Sequence, residues 1–280
     1  MDTSLGPGDV GIDRPFPEAA ALAADAGFDA IQVDLGYLAD HGPDEYRAVL
    51  DEHGLRTGSV DLPVAVTGDE AEYEADVDAL AGVASDLAAI GCDCATHFVW
   101  SFSDERDFED NFRFHRRRLG RPAEILADHG LELGLEFLGP ETLREGHEHE
   151  FIYTAEGMLE LCDAINSDTV GLQLDSWHWY TAGGSIDALE SLERGDVVDV
   201  HLNDAPAGIP RDEQIDTERR LPAETGVIDV AAFLGHLDRI GYEGAVTAEP
   251  FSDDLEAMDD AAAAERTMES LETAFERAGL

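Results

Sequence analysis

Four short runs of this 280-residue chain end in residues of the kind that bind a metal ion. A β-strand alternates its side chains between two faces, so in Val170-Gly-Leu-Gln-Leu-Asp175 the residues Gly171, Gln173 and Asp175 share one face and the leucines the other. The same alternation sets Glu132, Gly134 and Glu136 opposite the leucines of Leu131 to Phe137. In Val197 to Leu202 it groups Val197, Asp199 and His201, and in Ala245 to Pro250 it groups Ala245, Thr247 and Glu249. The pattern predicts one site built from Glu136, Asp175, His201 and Glu249. Three carboxylates and an imidazole form a mostly hard oxygen donor set, suited to one divalent cation, Mn²⁺ first, with Mg²⁺, Co²⁺, Fe²⁺ and Zn²⁺ as further candidates. A structural zinc would want more Cys or His. For any single acid among 63, a solvated strand end is the default reading. Four matches of position and parity argue against that default.

Strands that converge need helices between them, and the chain supplies the alternation. Helical spacing marks Pro17 to Ala26, Asp44 to Glu52, about Glu72 to Ile90, about Phe108 to Asp128, Thr154 to Ile165, Ile186 to Arg194, Ile228 to Ile240 and Asp254 to about Ala278. Extended runs fall at Ala30 to Leu35, Thr57 to Leu62 and Cys92 to Val99, besides the four already named, with a short opening strand near Asp9 to Ile12. Gly27, Gly91, Gly130 and Gly241 each end a helix and lead into a strand, the task of a left-handed C-cap. Eight strands and eight helices with no dividing linker predict an α/β fold, a single (β/α)8 TIM barrel domain over residues 1–280. An open doubly wound sheet shows similar alternation but spreads its strand ends too widely to aim four ligands at one atom.

Composition excludes several activities. There are 63 acidic residues against 17 arginines, with no lysine, for a formal charge of −46. Without a lysine amine, Schiff-base aldolase and pyridoxal-phosphate chemistry are closed, and non-specific nucleic-acid binding lacks its positive charge. Cys92, Cys94 and Cys162 are few and odd in number, which suits buried thiols in a reducing compartment better than disulfides or half of a zinc site. No apolar run of about 18 residues and no basic leader is seen, so a soluble, cytoplasmic protein with no membrane partner is expected.

The segments Gly134-Leu-Glu-Phe-Leu-Gly139, Leu174-Asp-Ser-Trp-His178, Val200-His-Leu-Asn-Asp204, Leu221 to Asp229 and Val246-Thr-Ala-Glu-Pro250 resemble the sugar phosphate isomerase/epimerase family, the xylose isomerase-like barrels. The resemblance covers nearly the whole chain. It implies that the residues matching Glu136, Asp175, His201 and Glu249 bind one divalent ion, and that the two glutamates act as general base and general acid. It also implies that His178 contacts a substrate oxygen and that Arg219 or Arg220 orients substrate hydroxyls. His97, read as inward-facing with Ala95, and Trp100 beyond it are candidates for the pocket wall, with core packing as the plainer alternative. Trp177 and Trp179 could flank a sugar face, although packing against helices is their default.

A carbon beside a carbonyl is a weak acid, and positive charge on the carbonyl and adjacent hydroxyl oxygens stabilises the enediolate left when its proton departs. Returning the proton to the opposite face gives an epimerase, and returning it to the neighbouring carbon gives an isomerase. Loss of a β-hydroxyl gives a dehydratase of an inosose-type keto sugar. The expected partner is therefore a small sugar or keto-polyol, with a homo-oligomer an open alternative to a monomer. Glu136 is followed by Phe-Leu-Gly-Pro, and Glu141 lies near but not on the family's second acidic position, so ketose epimerase specificity is not carried over. The segment Thr142 to Tyr153, with His147 and His149, reads as an exposed loop, a lid or an oligomer contact. Endonuclease IV, a phosphodiesterase on the same barrel, needs further histidines after the His201 strand, and there is none before His236. The arginines at 113, 116, 117 and 118 share their helix with acids, as on a solvated face. A non-catalytic sugar-binding barrel would keep the fold without exchanging a substrate proton.

Self-repulsion at −46 destabilises a compact chain unless salt screens it within about 3 Å, as at 1 M. The composition resembles that of proteins from salt-accumulating halophiles. The thermal midpoint is expected to fall steeply between molar KCl and dilute buffer, and equal midpoints would contradict the reading.

Overall fold

The protein, seen in a computed structural model, is described over residues 1–280, the side chain of Asp187 excepted. The extended runs form eight strand positions: β1 (Asp2–Leu5), β2 (Ala30–Ile31), β3 in two halves (Arg56–Thr57 and Val60–Asp61), β4 (Cys94–Val99), β5 (Glu132–Phe137), β6 (Val170–Asp175), β7 (Val197–His201) and β8 (Ala245–Thr247). All pair in parallel around one ring. The first half of β3 pairs with β2 and the second with β4, so the sheet closes on itself through that strand. The closed ring, with helices outside it, is the TIM barrel, and the open sheet is ruled out. At the break in β3 a Cβ on Gly58 would lie 2.6 Å from Ser4 Oγ and 3.3 Å from the Gln32 nitrogen, so a larger residue would push the strands apart.

The helices start where acids cap them. Asp69 accepts from the Ala71 and Glu72 amides at the head of Glu70–Ile90, and Asp107 accepts from the Asp110 amide at the head of Phe108–Asp128. Gly91 (φ 82°) and Gly241 (φ 76°) end their helices in the left-handed region. Leu133, Leu135, Leu172, Leu174 and Val200 point out of the ring and are buried against helices, with the Phe108–Asp128 and Ala155–Ile165 helices packed over β5. Inside the ring sit small and polar residues, among them Ser4, Thr96, Gly134, Gly171, Gln173, Asp199 and Thr247. Gly134 and Gly171 leave room there for the Gln173 backbone and the Asp196 carbonyl.

Several boundaries differ from the sequence reading. The opening strand is Asp2–Leu5, and Asp9 lies in a 3-10 turn, Gly8–Val10; Ser4 faces a polar interior, which hides the strand's pattern. Only Ala30–Ile31 pair in the second run, because the Asp34 side chain accepts the Tyr37 amide and starts a helix, Leu35–His53, broken at Gly42 before Pro43. The helix expected from Ile186 to Arg194 is confined to Ile186–Leu189, and the last helix divides into Asp253–Glu256 and Asp260–Ala278. Register shifts between Val197 and Asp199, which turns Val197 toward the helices beside Leu172 and off the face of His201. The 142–153 segment is not simply exposed. His149–Glu150 pairs antiparallel with Phe102–Ser103, His147 stacks on Phe102, and Phe151 and Ile152 are buried. All three cysteines are buried and free. Among the described residues, no helix is long and apolar enough to cross a membrane.

The stretch from 204 to 228 is pinned by one carboxylate. Asp204, fully buried, accepts from the amides of Ala205 (2.8 Å), Thr225 (2.9 Å), Gly226 (2.6 Å) and Ile228 (2.9 Å). Asp204→Ala is expected to cost about 2–4 kcal/mol by stranding these donors, and Asp204→Asn less. The check is the denaturant midpoint in molar KCl, where a loss under about 0.5 kcal/mol would mean that water replaces the carboxylate.

Candidate metal centre

Glu136 lies near the end of β5, Asp175 and His201 are the last residues of β6 and β7, and Glu249 stands two residues past β8. These strands are neighbours in the ring, and strand ends on one rim approach one another. One donor atom from each of the four residues lies within 4.8 Å of every other.

Each member is held by its own strand end. Asp175 Oδ1 accepts the Trp177 amide (2.6 Å) and so caps the helical turn Ser176–Thr181, while Oδ2 accepts from Asn203 Nδ2 (3.1 Å). Asn203 Oδ1 in turn accepts the Glu249 amide (2.8 Å), which ties the irregular segment after β8 to the end of β6. Gln173 Nε2 stands 3.0 Å from His201 Nε2, and His201 Nδ1 is 3.4 Å from Glu249 Oε2. Glu136 Oε1 is buried with no protein partner.

Arg219 brings a fixed positive charge to the cluster. Its Nη1 donates to Asp175 Oδ2 (2.8 Å) and Glu249 Oε2 (2.6 Å), its Nη2 to Asp216 Oδ1 (2.9 Å), and its Nε to the Asp216 carbonyl (3.0 Å). The guanidinium lies over the rings of Trp177 and Phe251. Burial works against ionisation of Glu249, but Arg219 and then His201 outweigh it and hold the carboxyl at about 2. Burial, followed by the Glu249 charge, pushes Glu136 well above the usual carboxylate range. Burial also raises Asp175, against the pull of Arg219. His201 is pushed well up despite its burial, by Glu249 and then Glu136.

Of the two arginines left open by the sequence, Arg219 meets the cluster and Arg220 does not. Arg220 donates to the Arg219 carbonyl, pairs its backbone with Asp204, and borders a separate depression with Glu218 and Asp254. His178 is buried, with Nδ1 3.2 Å from the Gly139 amide and Nε2 3.1 Å from Arg219 Nη2; burial and then Arg219 hold its pKa well down. A Cβ on Gly139 would collide with the His178 carbonyl, so glycine is required there.

His97 needs correction. Phe98 pairs with Glu136 and Thr96 with Gly134, so Thr96 and Phe98 share the inward parity, while His97 and Ala95 take the helix-facing one. His97 borders the cavity, but burial and then His115 of the helix layer lower its pKa to about 4. Trp100 lies outside the cavity lining and is 42% exposed, edge-on to Phe98. Trp177 is wholly buried and Trp179 packs against Phe233, the plainer of the two readings offered for them.

A cavity of about 350 Å³ opens over the cluster, bounded also by Asp9, Gln32, Asp61 and Phe98. Sequence reasoning missed these four. The sequence pattern sets Asp9 at the head of a strand; the Gly6-Pro-Gly8 run ahead of it is the signal for the turn that it occupies. Burial and then Glu249 raise its carboxyl to about 8.

Residues 20–274 match the model of the xylose isomerase-like TIM barrel family. The chain is 31% identical over 132 residues to the inosose isomerase of Bacillus subtilis (strain 168), covering 46% of this chain and 43% of that protein, so the match spans less than half of that relative's length. It is 24% identical over 246 residues to the 2-oxo-tetronate isomerase of Haemophilus influenzae, covering 84% of this chain and 87% of that protein. A solved xylose isomerase domain protein from Alicyclobacillus acidocaldarius subsp. acidocaldarius superposes with a TM-score of 0.91 at 27% identity over 100% of both chains.

Removing the guanidinium leaves two buried carboxylates without their countercharge. Arg219→Met is expected to lower the stability of the metal-free protein by about 3–5 kcal/mol, measured by denaturant titration. A change below about 1 kcal/mol would show that the pairs contribute little net stability.

Proposed function

The chain belongs to the xylose isomerase-like TIM barrel family, and from that premise we propose that it is a divalent-metal-dependent isomerase or epimerase of a small polyhydroxy carbonyl compound. The observation that supports the reading best is the meeting of Glu136, Asp175, His201 and Glu249 within 4.8 Å at the C-terminal rim of the barrel, where such folds carry chemistry. The residues fit a cation. Three of the four are hard oxygen donors, and the buried Oε1 of Glu136 has no other partner. These four would hold the ion, Mn²⁺ being the first to try, and a bound cation supplies charge that stabilises oxyanion character on the substrate.

The chain's own groups do the rest. One of Glu136 and Glu249 takes the proton from the carbon beside the carbonyl, and the other gives a proton back. Return to the opposite face inverts the carbon, and return to the neighbouring carbon moves the carbonyl. Asn203 keeps Asp175 and Glu249 in fixed relation. Arg219, buried beside His178, holds the Asp175 and Glu249 carboxylates in place. The printed activities of the relatives, inosose isomerase and 2-oxo-tetronate isomerase, support a substrate of this general size and chemistry.

The experiment is proton exchange. Protein loaded with Mn²⁺ in molar KCl and D₂O is given ketoses, inososes and hydroxypyruvate, and deuterium uptake beside the carbonyl is followed by NMR. Uptake is expected with at least one compound, and Glu136→Gln and Glu249→Gln are each expected to slow it by about 10²–10⁴-fold. Mn²⁺ should raise the thermal midpoint of the unaltered protein more than that of either variant. Unaltered exchange rates in either variant would remove the acid/base assignment.

A further inference from the structure

We propose that the C-terminal helix, Asp260–Ala278, positions Arg219 at the metal centre by holding the turn Leu221-Pro-Ala-Glu224 in a form that its own residues disfavour. The inference rests on the catalytic reading above and adds to it Ser270 and Arg277 as positioning residues.

Arg220 pairs with Asp204 through two backbone bonds, and the amides of Thr225 and Gly226 return to the Asp204 side chain at 2.9 and 2.6 Å. Between those anchors the chain has only residues 221–224 in which to reverse. It does so in one turn. The Glu224 amide donates to the Leu221 carbonyl (3.1 Å), and the Leu221 amide donates to Glu224 Oε2 (3.2 Å). Proline at the second position fixes φ at about −65°, and Ala223 at the third has φ 60°. That combination is the type II turn, whose third position calls for glycine. Alanine carries a Cβ into the left-handed region, a strain that a type I turn would relieve.

Types I and II differ by a flip of the central peptide, here the one joining Pro222 to Ala223. The C-terminal helix grips that peptide. Ser270, 9% exposed, donates from Oγ to the Pro222 carbonyl (2.5 Å), and Arg277 Nη1 donates to the Ala223 carbonyl (3.0 Å). A flip would turn the Pro222 carbonyl away and take this acceptor from a buried hydroxyl. Arg219 lies two residues before the turn, with Nη1 bonded to Asp175 (2.8 Å) and Glu249 (2.6 Å) and Nε to the Asp216 carbonyl (3.0 Å). A backbone shift of about 1 Å carries such distances out of hydrogen-bonding range.

The test has two readouts in molar KCl. One is the NMR signal of the Arg219 Nε–H in the metal-free protein, assigned by its loss in Arg219→Met. The other is deuterium exchange by the Mn²⁺-loaded protein on whichever ketose, inosose or hydroxypyruvate exchanges fastest. Ser270→Ala is expected to shift or broaden the signal and to lower kcat about 10-fold, with KM changed less than about twofold. Arg277→Met, at the exposed end of the helix, should act in the same direction and less. Ala223→Gly accepts the type II turn without strain, and in the Ser270→Ala protein it should restore the signal and bring kcat to within about threefold of the unaltered protein. In an Arg219→Met background Ser270→Ala should cause no further loss of exchange. An unaltered signal in both Ser270→Ala and Arg277→Met, no recovery with Ala223→Gly, or a full further loss in the Arg219→Met background would overturn the proposal. Should Ser270→Ala fail to fold, Arg277→Met with and without Ala223→Gly decides by the same readouts. A shifted signal, restored by glycine, with no exchange in any protein would sink the catalytic reading and leave the placement of Arg219 standing.

Discussion

Three carboxylates and an imidazole cannot share a buried space under 5 Å across without positive charge among them. In the protein itself Arg219 and the His201 ring supply that charge, and much of the local architecture serves to put the arginine there. Its loop is clamped by Asp204 through four backbone amides and by the two-way backbone pairing of Asp204 with Arg220. The rings of Trp177 and Phe251 flank the guanidinium, and Asp216 holds its far edge. Arg219 helps to keep Glu249 ionised, while burial and the Glu249 charge drive Glu136 toward its protonated form.

The barrel answers the same constraint with its interior. Glycine at 134 and 171 and small polar residues at 4, 96 and 247 leave space where a closed ring of leucines would fill it. Gln173 and Asp199 occupy the layer just beneath the cluster, and Gln173 reaches the His201 ring. On the outer face the leucines of β5 and β6 pack against helices, so apolar burial and polar chemistry lie on opposite sides of the same strands. A chain so rich in acid concentrates its few cationic contacts in arginine. On the surface, pairs such as Arg121 with Glu74 are exposed and contribute little; in the core, Arg118 bonds the carbonyls of Val66 and Gly68, and Arg219 bonds the cluster.

Parity carried the sequence reading a long way. Strands of six residues with clean alternation, β5 and β6, put Glu136 and Asp175 where the pattern places them, and helix-ending glycines at 91 and 241 marked the stops of the helices before β4 and β8. The pattern failed at a bulge and where a strand carries no donor residue to set its parity. A bulge in β7 turned Val197 around, and the pairing of β4 put Phe98, not His97, on the inward face. The opening strand was invisible because its inward residue is a serine.

By itself the sequence determined the alternation of strands and helices, the closed barrel it favours, the four donor residues and the absence of lysine, since each is a matter of residue type and local period. Only the tertiary structure decided which of two adjacent arginines meets the acids, that Asn203 joins Asp175 to Glu249, and that Asp9, Gln32 and Asp61 wall the cavity. Those contacts join residues 28 to 46 positions apart or come from turns with no period. A one-dimensional pattern carries no information about which loops meet once a ring has closed.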